Sequence, residues 1–374
     1  MINRRQFSLS AGITALAGFP AVHAQSDKII LGQSAAFTGP SAQLGIQFHA
    51  GAKLFFDHLN SEGGVGGRSF EIRQLDDGYE PDRCAENTRK LIEQDVHCLF
   101  GYIGTPTSLV ALPLATKAKI PFVAPFSGAM GLRNPFNRYA FHLRASYNDE
   151  TGLIVKQLHN LGIQKIAVFY QNDAYGKAGL DGVTLALTGL NNKPVATATV
   201  ERNSVEVAKA VEVLVASAPD AIVQIGAYKA CAEFIRVARK AGYGGRFFNV
   251  SFVGTQALAD ELGKDGAGVV VSQVMPSPYS QARPITREFT EAVRKSAGKV
   301  SVNFSSMEGY LAAKVLAEGM RRASGKSRDS LIGGLESISN QSFGGFQVDF
   351  SSTDHVASHF VELSMLTGDG RVRT

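Results

Sequence analysis

From Lys28 onward, short apolar runs rich in β-branched and aromatic residues alternate with longer segments in which apolar residues recur at helical spacing. The short runs have the length of buried strands, and the longer segments have the length of helices that pack on a sheet. Strands that alternate with helices along a chain form a parallel sheet with helices on both faces. The pattern therefore predicts an α/β protein.

The first series of elements shows this alternation clearly. After the first strand, Ala52, Phe55 and Leu59 recur on one face of a helix. The glycine cluster at 63–67 follows this helix and precedes a strand, which is the reverse order of a phosphate-binding loop, so we interpret it as a turn. The predicted strands of this series are 28–34, 69–76, 96–100 and 121–125.

A second series begins near the acidic pair Asp149-Glu150, whose charge favours a helix N-terminus. It repeats the alternation of strand-length and helix-length segments, so the sequence predicts two similar doubly wound lobes in series. The predicted strands of the second series are 165–170, 194–200, 221–225, 247–250 and 268–273.

The C-terminal part of the chain departs from this alternation. It predicts helices at 286–296 and 305–323, followed by a hairpin that joins 345–349 to 359–366. These elements need a surface to pack on, and the proline-rich stretch 276–284 suggests that the chain returns to the first lobe.

Residues 1–24 have the pattern of an export signal. A basic start with Arg4 and Arg5 precedes an apolar run and a small-residue cleavage pattern. Residues 3–7 resemble the twin-arginine export motif, but Ser8 stands where that motif prefers leucine, so the twin-arginine and general secretion routes both remain open. The apolar run is short for a membrane span, which favours cleavage and leaves a retained membrane anchor as the alternative. We therefore predict a cleaved signal peptide and a periplasmic product.

Composition narrows the class of protein. Of the 374 residues, 44% are hydrophobic and 19% are charged, which suits packed cores and not a disordered chain. The net charge of +5 falls to +3 once Arg4 and Arg5 leave with the signal, so the basic balance does not indicate nucleic-acid binding. The three cysteines, Cys84, Cys98 and Cys231, allow at most one disulfide. A Cys84–Cys98 bridge and unpaired buried cysteines are both open.

The sequence lacks the common signatures of catalysis and metal binding. It contains no HExxH, no P-loop, no GxSxG elbow and no strand-led GxGxxG. The SxxK spacing at 296–299 falls at a helix end, where a capping turn is the simpler interpretation. His355 and His359 lie in a predicted loop and strand edge without a set of metal ligands. We predict no enzyme activity, no cofactor and no metal site.

Loops at the carboxyl ends of the predicted strands offer a binding surface, because ligands of open α/β sheets bind there. The loops of the first lobe carry hydroxyls and free backbone amides, which suit an anion such as a carboxylate. Those of the second lobe add tyrosines that can cover an apolar group. The loops are 36–40, 101–108, 125–129, 171–176 and 226–228. Together they predict a cleft that closes around a small polar molecule.

An ordered set of motifs runs through both lobes: Phe37-Thr38-Gly39-Pro40 with Gly45, Asp76-Asp77 with Pro81, Gly101 to Thr107, Tyr175-Gly176, and Tyr228. This set resembles the leucine/isoleucine/valine-binding protein family, which are type I periplasmic binding proteins that capture ligands for ABC importers. The resemblance covers nearly the whole chain after the signal. It implies two Rossmann-like lobes, no catalysis and three hinge crossings, near Leu143, Val274 and Gly344.

The resemblance also implies the bounds of the two lobes and the binding partners of the protein. Lobe 1 would comprise residues 26–143 and 275–344, and lobe 2 residues 144–274 and 345–374. The implied partners are a small-molecule ligand and ABC permease subunits in the membrane, with no nucleic acid, and the implied state is a monomer. A periplasmic sensor that presents its bound form to a receptor is the alternative, because it needs the same hinge and cleft.

The implied ligand site draws on both lobes. Thr105 matches the position whose hydroxyl and backbone amide hold a ligand carboxylate. The loop Phe126-Ser127-Gly128 matches the segment that completes this clamp, and Tyr102 is expected to flank it. Tyr175 and Tyr228 match the tyrosines that close over the ligand from the second lobe.

Two positions depart from the family pattern. Leu44 stands where branched-chain binders place an aromatic ring. Phe252, or Ser251 with a shift of one residue, stands where an acid normally receives the α-ammonium of the ligand. A buried ammonium without a partner costs several kcal/mol, so a standard α-amino acid is disfavoured unless Asp173 substitutes. An aliphatic or aromatic carboxylate therefore competes with an amino acid as the expected ligand.

Overall fold

Two sheets covered by helices form the framework of the chain in the computed structural model, which describes residues 28–374. The predicted signal peptide over residues 1–24 lies outside the described residues. All strands of the first sheet are parallel, in the order β2-β1-β3-β4-β5. They are β1 (Ile29–Ala35), β2 (Phe70–Asp76), β3 (Cys98–Phe100), β4 (Phe122–Val123) and β5 (Ala140–Phe141).

The helices of the first lobe connect these strands, and central strands that are covered on both faces are apolar throughout. In β1 only Ile30 is not fully buried, as such a strand requires. The connecting helices are α1 (Ala42–Ser61), α2 (Pro81–Glu93) and α3 (Thr105–Lys117). The predicted apolar face of α1, with Ala52, Phe55 and Leu59, is buried in the core of the lobe.

The second sheet repeats this design with five parallel strands in the order β10-β9-β8-β6-β7. They are β6 (Ile166–Gln171), β7 (Thr197–Val200), β8 (Ala221–Ile225), β9 (Arg246–Asn249) and β10 (Val270–Gln273). The helices of this lobe are α4 (Tyr147–Asn160), α5 (Ala174–Thr188), α6 (Ala208–Ala216), α7 (Tyr228–Lys240) and α8 (Thr255–Leu262). The α/β architecture with two doubly wound lobes is thus confirmed.

Helix α4 begins two residues before the predicted acidic pair. Ser146 is its N-cap: the Ser146 hydroxyl accepts from the backbone N–H of Asp149, and the Asp149 carboxylate accepts from the backbone N–H of Ser146. This reciprocal capping box satisfies two otherwise unpaired donors. It also fixes the direction in which the chain enters the second lobe.

After β10 the chain returns to the first lobe, as the proline-rich stretch suggested. The returning helices are α9 (Pro284–Lys295), α10 (Phe304–Arg322) and α11 (Arg328–Glu336). Helix α10 packs along α1, where a Cβ atom at Gly51 would lie 1.8 Å from the backbone oxygen of Ser306. The two backbones can approach this closely only because the residue is glycine.

The predicted terminal hairpin is wrong. A tight turn at Gly344 and Gly345, both with positive φ, instead pairs β11 (Gln341–Ser342) with β12 (Gln347–Val348). The later strand, β13 (Glu362–Leu366), runs antiparallel beside β10, and β14 (Val372–Arg373) pairs with β13 at the edge of the second sheet.

The chain passes three times between the sheets, after β5, after β10 and before β13. On the third passage, the backbone of Ala357 still donates to His142, next to β5. The lobe boundaries stay a prediction, and this pairing favours a third crossing after Ala357 over one near Gly344.

The remaining expectations concern cysteines and membrane contact. Cys84, Cys98 and Cys231 are all free and buried, so the unpaired alternative holds. Burial raises the pKa of each thiol, which is typical of inert core cysteines. Among residues 28–374, no helix has the length and apolar character needed to cross a bilayer.

Candidate functional site

Loops that leave the carboxyl ends of the two sheets meet in a closed cleft. On the first-lobe side, these loops follow β2, β3 and β4; on the second-lobe side, they follow β6, β7, β8 and β9. Ring contacts join the sides directly, since the Phe252 ring centroid lies 5.8 Å from Phe126 and 5.8 Å from Tyr79. The cleft therefore lies where the sequence placed it, at the strand ends.

The candidate carboxylate clamp lies at the N-terminus of α3. Gly104 precedes the helix with φ of 99°, a conformation that favours glycine, and so Thr105 opens the first turn. The Thr105 hydroxyl lies 2.7 Å from the Ser127 hydroxyl, and both side chains are buried. A pair of hydroxyls at a helix N-terminus can donate to an anion with support from the helix dipole.

The loop after β4 is tied to the loop after β3. Gly104 donates its backbone N–H to the Phe126 carbonyl at 3.2 Å, and Phe126 donates to the Tyr102 carbonyl at 2.7 Å. These bonds keep Ser127 opposite Thr105. The backbone carbonyl of Gly128 in turn accepts from Tyr147, the first residue of α4, at 2.7 Å. The clamp loop is thereby bonded to the second lobe.

The side chain of Tyr102 does not flank the clamp, contrary to the sequence prediction. Its ring packs on Phe122 at 4.9 Å, its hydroxyl lies 3.1 Å from the Thr88 hydroxyl, and it belongs to the smaller hydrophobic cluster on the α2 and α3 side. Successive side chains of an extended segment point to opposite faces. The backbone of Tyr102 supports the clamp while its side chain fills the core.

The second-lobe side of the cleft is aromatic. The Tyr175 ring lies 4.4 Å from Phe252 and 5.4 Å from Tyr147, and all three side chains are buried. Tyr228 lies at the start of α7, and its hydroxyl accepts from the backbone N–H of Gln43 in the first lobe at 3.4 Å. The predicted tyrosines thus lie at the lobe interface, and their role in binding stays a prediction.

Leu44 also lies at this interface. It is fully buried, and a Cβ atom at Gly254 would come within 2.4 Å of its Cδ2. Leu44 therefore packs against the backbone that follows Phe252. An aromatic ring in its place would need more room than this contact leaves.

Phe252, and not Ser251, projects into the cleft. The backbone N–H and hydroxyl of Ser251 instead donate to the Glu150 carboxylate, at 2.7 and 3.0 Å. Glu150 also accepts from the Ser272 hydroxyl at 2.6 Å. Burial raises the pKa of Glu150, and these three donors and the charge of Arg144 oppose that effect.

Asp173, which the sequence offered as a partner for a ligand ammonium, is engaged by residues of its own lobe. It is the N-cap of α5 and accepts from the backbone of Tyr175 at 2.9 Å. Its other oxygen accepts from Gln171 at 2.6 Å and from Arg202 at 3.3 Å. All of these partners lie in the second lobe, so the carboxylate is already satisfied there.

Arg202 links the lobes at the mouth of the cleft. Its guanidinium lies 3.0 Å from Glu80 in the first lobe and 3.3 Å from Asp173 in the second. The neighbouring Asn203 donates to Glu80 at 2.7 Å and to the Gly78 carbonyl at 3.0 Å. This polar group at the cleft mouth holds the two strand-end loops together.

A buried ion pair lies at the hinge side of the cleft. Arg144, in the first crossing, donates through Nε and Nη2 to both carboxylate oxygens of Glu308 on α10, at 2.8 Å each. Its guanidinium also lies 3.9 Å from the centre of the Phe126 ring. Burial acts to lower the pKa of Arg144, but the charge and hydrogen bonds of Glu308 have the larger effect. The pKa of Arg144 is therefore raised. The pair joins the first crossing to the returning helix.

The adjacent carboxylates Asp76 and Asp77 play separate roles, because successive side chains of an extended segment point to opposite faces. Partial burial acts to raise the pKa of Asp76, but hydrogen bonds from Thr38 and nearby backbone amides outweigh it and lower the pKa to about 2. Burial raises the pKa of Asp77 to about 6. Asp77 accepts from the backbone of Tyr79 at 2.8 Å and so positions that ring in the cleft.

Little space remains between the lobes. A cavity of about 10 Å³ lies beside Arg144 and Phe126, room for no more than one water molecule. A larger cavity of about 1100 Å³ lies instead between α1, α9 and α10 on the outside of the first lobe. Neither Thr105 nor Tyr175 lines this outer groove. The strand-end chemistry, and not cavity size, therefore identifies the candidate site.

The residues described by the structure hold no group of His, Cys, Asp and Glu side chains arranged to bind a metal ion. His355, one member of the nearest histidine pair in the sequence, stacks on Phe141 at 3.7 Å and bonds to the Ala140 carbonyl. This histidine therefore serves packing at the crossing.

Sequence reasoning missed several residues that line or hold the cleft. Tyr79 follows the recognised Asp76-Asp77 motif, so its position could have been found. The others carry no local signal, because their partners are far away in the chain: Arg144 and Glu308 are separated by 164 positions, and Arg202 and Glu80 by 122. The missed residues are Tyr79, Arg144, Tyr147, Glu150, Arg202 and Glu308.

Comparisons with known proteins agree with this architecture. The model of the periplasmic binding protein family matches residues 28–371. The Leu/Ile/Val-binding protein homolog 7 of Brucella melitensis is 26% identical over 383 residues, covering 93% of this chain and 91% of that protein.

Solved structures give the same result. A crystal structure of a possible leucine/isoleucine/valine-binding protein from Rhodopirellula baltica has a TM-score of 0.89 and 32% identity, and covers 95% of this chain and 98% of that one. The structure of a branched chain amino acid ABC transporter from Thermus thermophilus with bound valine has a TM-score of 0.82 at 19% identity, with 93% and 95% covered. At that identity the likeness concerns the fold alone.

Proposed function

This chain belongs to the periplasmic binding protein family, and on that basis we propose that it captures a small carboxylate-bearing ligand between its lobes for an ABC importer. The protein acts as a monomer after removal of its signal peptide. It delivers the ligand to permease subunits in the membrane and carries out no reaction on it. The twin hydroxyls of Thr105 and Ser127 at the start of α3 carry this proposal.

The clamp supports an anionic ligand for a physical reason. The Thr105 and Ser127 hydroxyls lie 2.7 Å apart at a helix N-terminus, in a buried place. Hydrogen bonds to a carboxylate contribute about 1.5 to 3 kcal/mol each. Three such bonds together with aromatic cover suffice for micromolar affinity, near −8 kcal/mol.

Closure of the lobes completes binding in this mechanism. The ligand binds first to the clamp of the first lobe, and the second lobe then swings over it about the three crossings. Contacts such as Tyr228 to Gln43 and Arg202 to Glu80 form only when the loops meet. The ligand stabilises the closed form through its additional contacts there, and the membrane partner recognises that form.

Thr105→Ala is expected to weaken carboxylate binding by about 10- to 100-fold, because one charge-assisted hydrogen bond is lost. A library of amino acids, amides and organic acids is first screened by thermal shift on the wild-type protein. Calorimetry with the tightest binder then gives the affinity of each variant.

Thr116→Ala is the matched control on the same helix, since the Thr116 hydroxyl lies at the far end of α3 and bonds to the Leu112 carbonyl and the Asn137 side chain. We expect this variant to bind the ligand with wild-type affinity. If Thr105→Ala binds as tightly as Thr116→Ala, the carboxylate does not sit at the α3 terminus. If no compound in the library binds the wild-type protein, the proposed function fails.

Arg202→Gln is expected to reduce affinity for the same ligand by about two- to fivefold, since partly exposed ion pairs contribute about 0.2–1 kcal/mol. Salt screens such pairs, so added salt should weaken the wild-type protein more than the variant. Lys177→Gln is the control, because Lys177 pairs only with Asp181 on α5. Equal affinities for the two variants would show that the mouth contacts do not favour closure.

A further inference from the structure

The Phe252 ring occupies the centre of the cleft. It is fully buried, and its neighbours are rings from both lobes: Tyr79 at 5.8 Å, Phe126 at 5.8 Å and Tyr175 at 4.4 Å. Phe126 directly precedes Ser127 of the clamp. The ring thus fills the space next to the place where a bound carboxylate would lie.

With the lobes closed as they are here, the Phe252 ring fills the space that a ligand at the clamp would need. The cavity beside Phe126 and Arg144 measures about 10 Å³, far below the volume of any organic acid. Phe252 lies in a short turn, Ser251–Val253, that ends at Gly254 with φ of 77°. Rotation of one side chain on such a turn frees a space of phenyl size between aromatic rings, which favour another ring in offset or edge contact.

Three carboxylates beside this space are already hydrogen-bonded within the protein. Glu150 accepts three hydrogen bonds from Ser251 and Ser272, and Glu308 accepts both bonds from Arg144. Asp173 accepts from its own helix and from Arg202. An ammonium group that entered the aromatic space would lose its water without gaining a carboxylate, which is costly.

We propose that the ligand is an aromatic carboxylate without an α-ammonium group, and that its ring takes the place of Phe252. This inference rests on the proposed function and names its substrate class. Phe252 then determines specificity in two ways. It preserves a ring-sized apolar space, and it offers no carboxylate to an ammonium group.

A panel of matched compounds tests the inference by calorimetry on the wild-type protein without its signal. The compounds are 3-phenylpropionate and L-phenylalanine, which differ by the ammonium; 4-methylpentanoate and L-leucine, the aliphatic equivalents; and 3-phenylpropanol, which lacks the carboxylate. We expect 3-phenylpropionate to bind at least about tenfold more tightly than L-phenylalanine, because a desolvated ammonium is left without a partner. The affinity for 3-phenylpropionate should also exceed that for 4-methylpentanoate by about tenfold, because only the former has a ring that contacts the aromatic side chains.

Two variants then test the role of Phe252 itself. Phe252→Glu supplies a carboxylate that can receive an ammonium group. We therefore expect this variant to bind L-phenylalanine more tightly than 3-phenylpropionate. Phe252→Leu stays apolar and should keep the wild-type preference for the compound without the ammonium. Circular dichroism and thermal melts establish that both variants are folded. Phe252→Leu alone still tests the inference if Phe252→Glu does not fold.

The outcomes separate this inference from the proposed function. The inference is overturned if either amino acid binds as tightly as the matched acid without the ammonium group. It is also overturned if 4-methylpentanoate binds as tightly as 3-phenylpropionate. In both cases the proposal that the protein captures a carboxylate stands. If no compound of the panel binds, the inference is overturned as well, and the wider library decides the proposed function. If 3-phenylpropanol binds as well as 3-phenylpropionate, the carboxylate is not recognised and both fail.

Discussion

Replacing Glu308 with glutamine is expected to lower the free energy of unfolding by about 3–5 kcal/mol, the usual cost of breaking a buried ion pair. The side chains of Arg144 and Glu308 are 1% and 4% exposed. Glutamine keeps the shape of the side chain but leaves a buried guanidinium without the charge that neutralises it. Urea unfolding followed by circular dichroism measures the difference.

Two further variants make this result interpretable. Glu318→Gln, on the same helix, breaks a more exposed pair with Arg322 and should cost less than about 1 kcal/mol. The double variant Arg144→Met/Glu308→Leu removes both charges and should recover much of the lost stability. If Glu308→Gln costs no more than Glu318→Gln, the hinge pair does not stabilise the fold in the way that its geometry indicates.

Gly128→Ala is expected to reduce stability by about 1–3 kcal/mol and to weaken ligand binding by at least about tenfold. A Cβ atom at this position would lie 2.7 Å from the backbone nitrogen of Tyr147 and 2.6 Å from its Cδ1. The backbone nitrogen cannot move away without losing its hydrogen bond to Gly128. The clamp loop and the start of α4 would be forced apart, so the cleft would not close fully.

The neighbouring Gly131→Ala provides the control in the same loop. Its added Cβ would meet only the Leu109 Cδ2 atom, at an ordinary contact of 3.7 Å. We expect wild-type stability and affinity from this variant, measured by urea unfolding and by calorimetry with the tightest carboxylate of the screen. Equal losses in the two variants would attribute the effect to the loop as a whole and not to its contact with α4.

Glu308→Gln and Gly128→Ala change opposite ends of one set of contacting residues at the cleft. Glu308 holds Arg144 at the hinge, and Gly128 joins the clamp loop to the second lobe. Phe126 lies between them, in contact with the Arg144 guanidinium on one side and the Phe252 ring on the other. A change at either end is therefore expected to alter the position of the rings that shape the cleft.

Much of the fold could be predicted because each element carries its own periodicity. The strand Ala221–Ile225 has the predicted bounds, since a buried parallel strand is a continuous apolar run. The short strands β5, β11 and β14 were not predicted, because an isolated pair of residues carries no periodic signal. The equally short β4 and β12 fall within longer predicted segments. The prediction of the terminal hairpin was wrong because the pairing of an edge strand depends on which strand lies beside it in the folded chain. Strand β13 pairs with β10.

The candidate site was predictable to the extent that it follows from strand ends. Thr105, Ser127 and Tyr175 were named from the family resemblance; the structure places them in loops or helix starts at strand ends, and their role in binding stays a prediction. Tyr102 was misplaced because a side chain in an extended segment can face either side. Whether Phe252 or Ser251 faces the cleft depended on a turn whose direction is set by Glu150, a residue about a hundred positions earlier.

The sequence alone determined the two α/β lobes, because these depend on local periodicity. The anion-holding loops and the absence of an ammonium partner stay predictions from residue type and from the family resemblance. Only the tertiary structure decided how the lobes meet. The Arg144–Glu308 pair, the Arg202 contact with Glu80 and the ring of Phe252 among rings of both lobes all join residues far apart in the chain. Such contacts leave no local pattern, since their energy arises only when folding removes both partners from water.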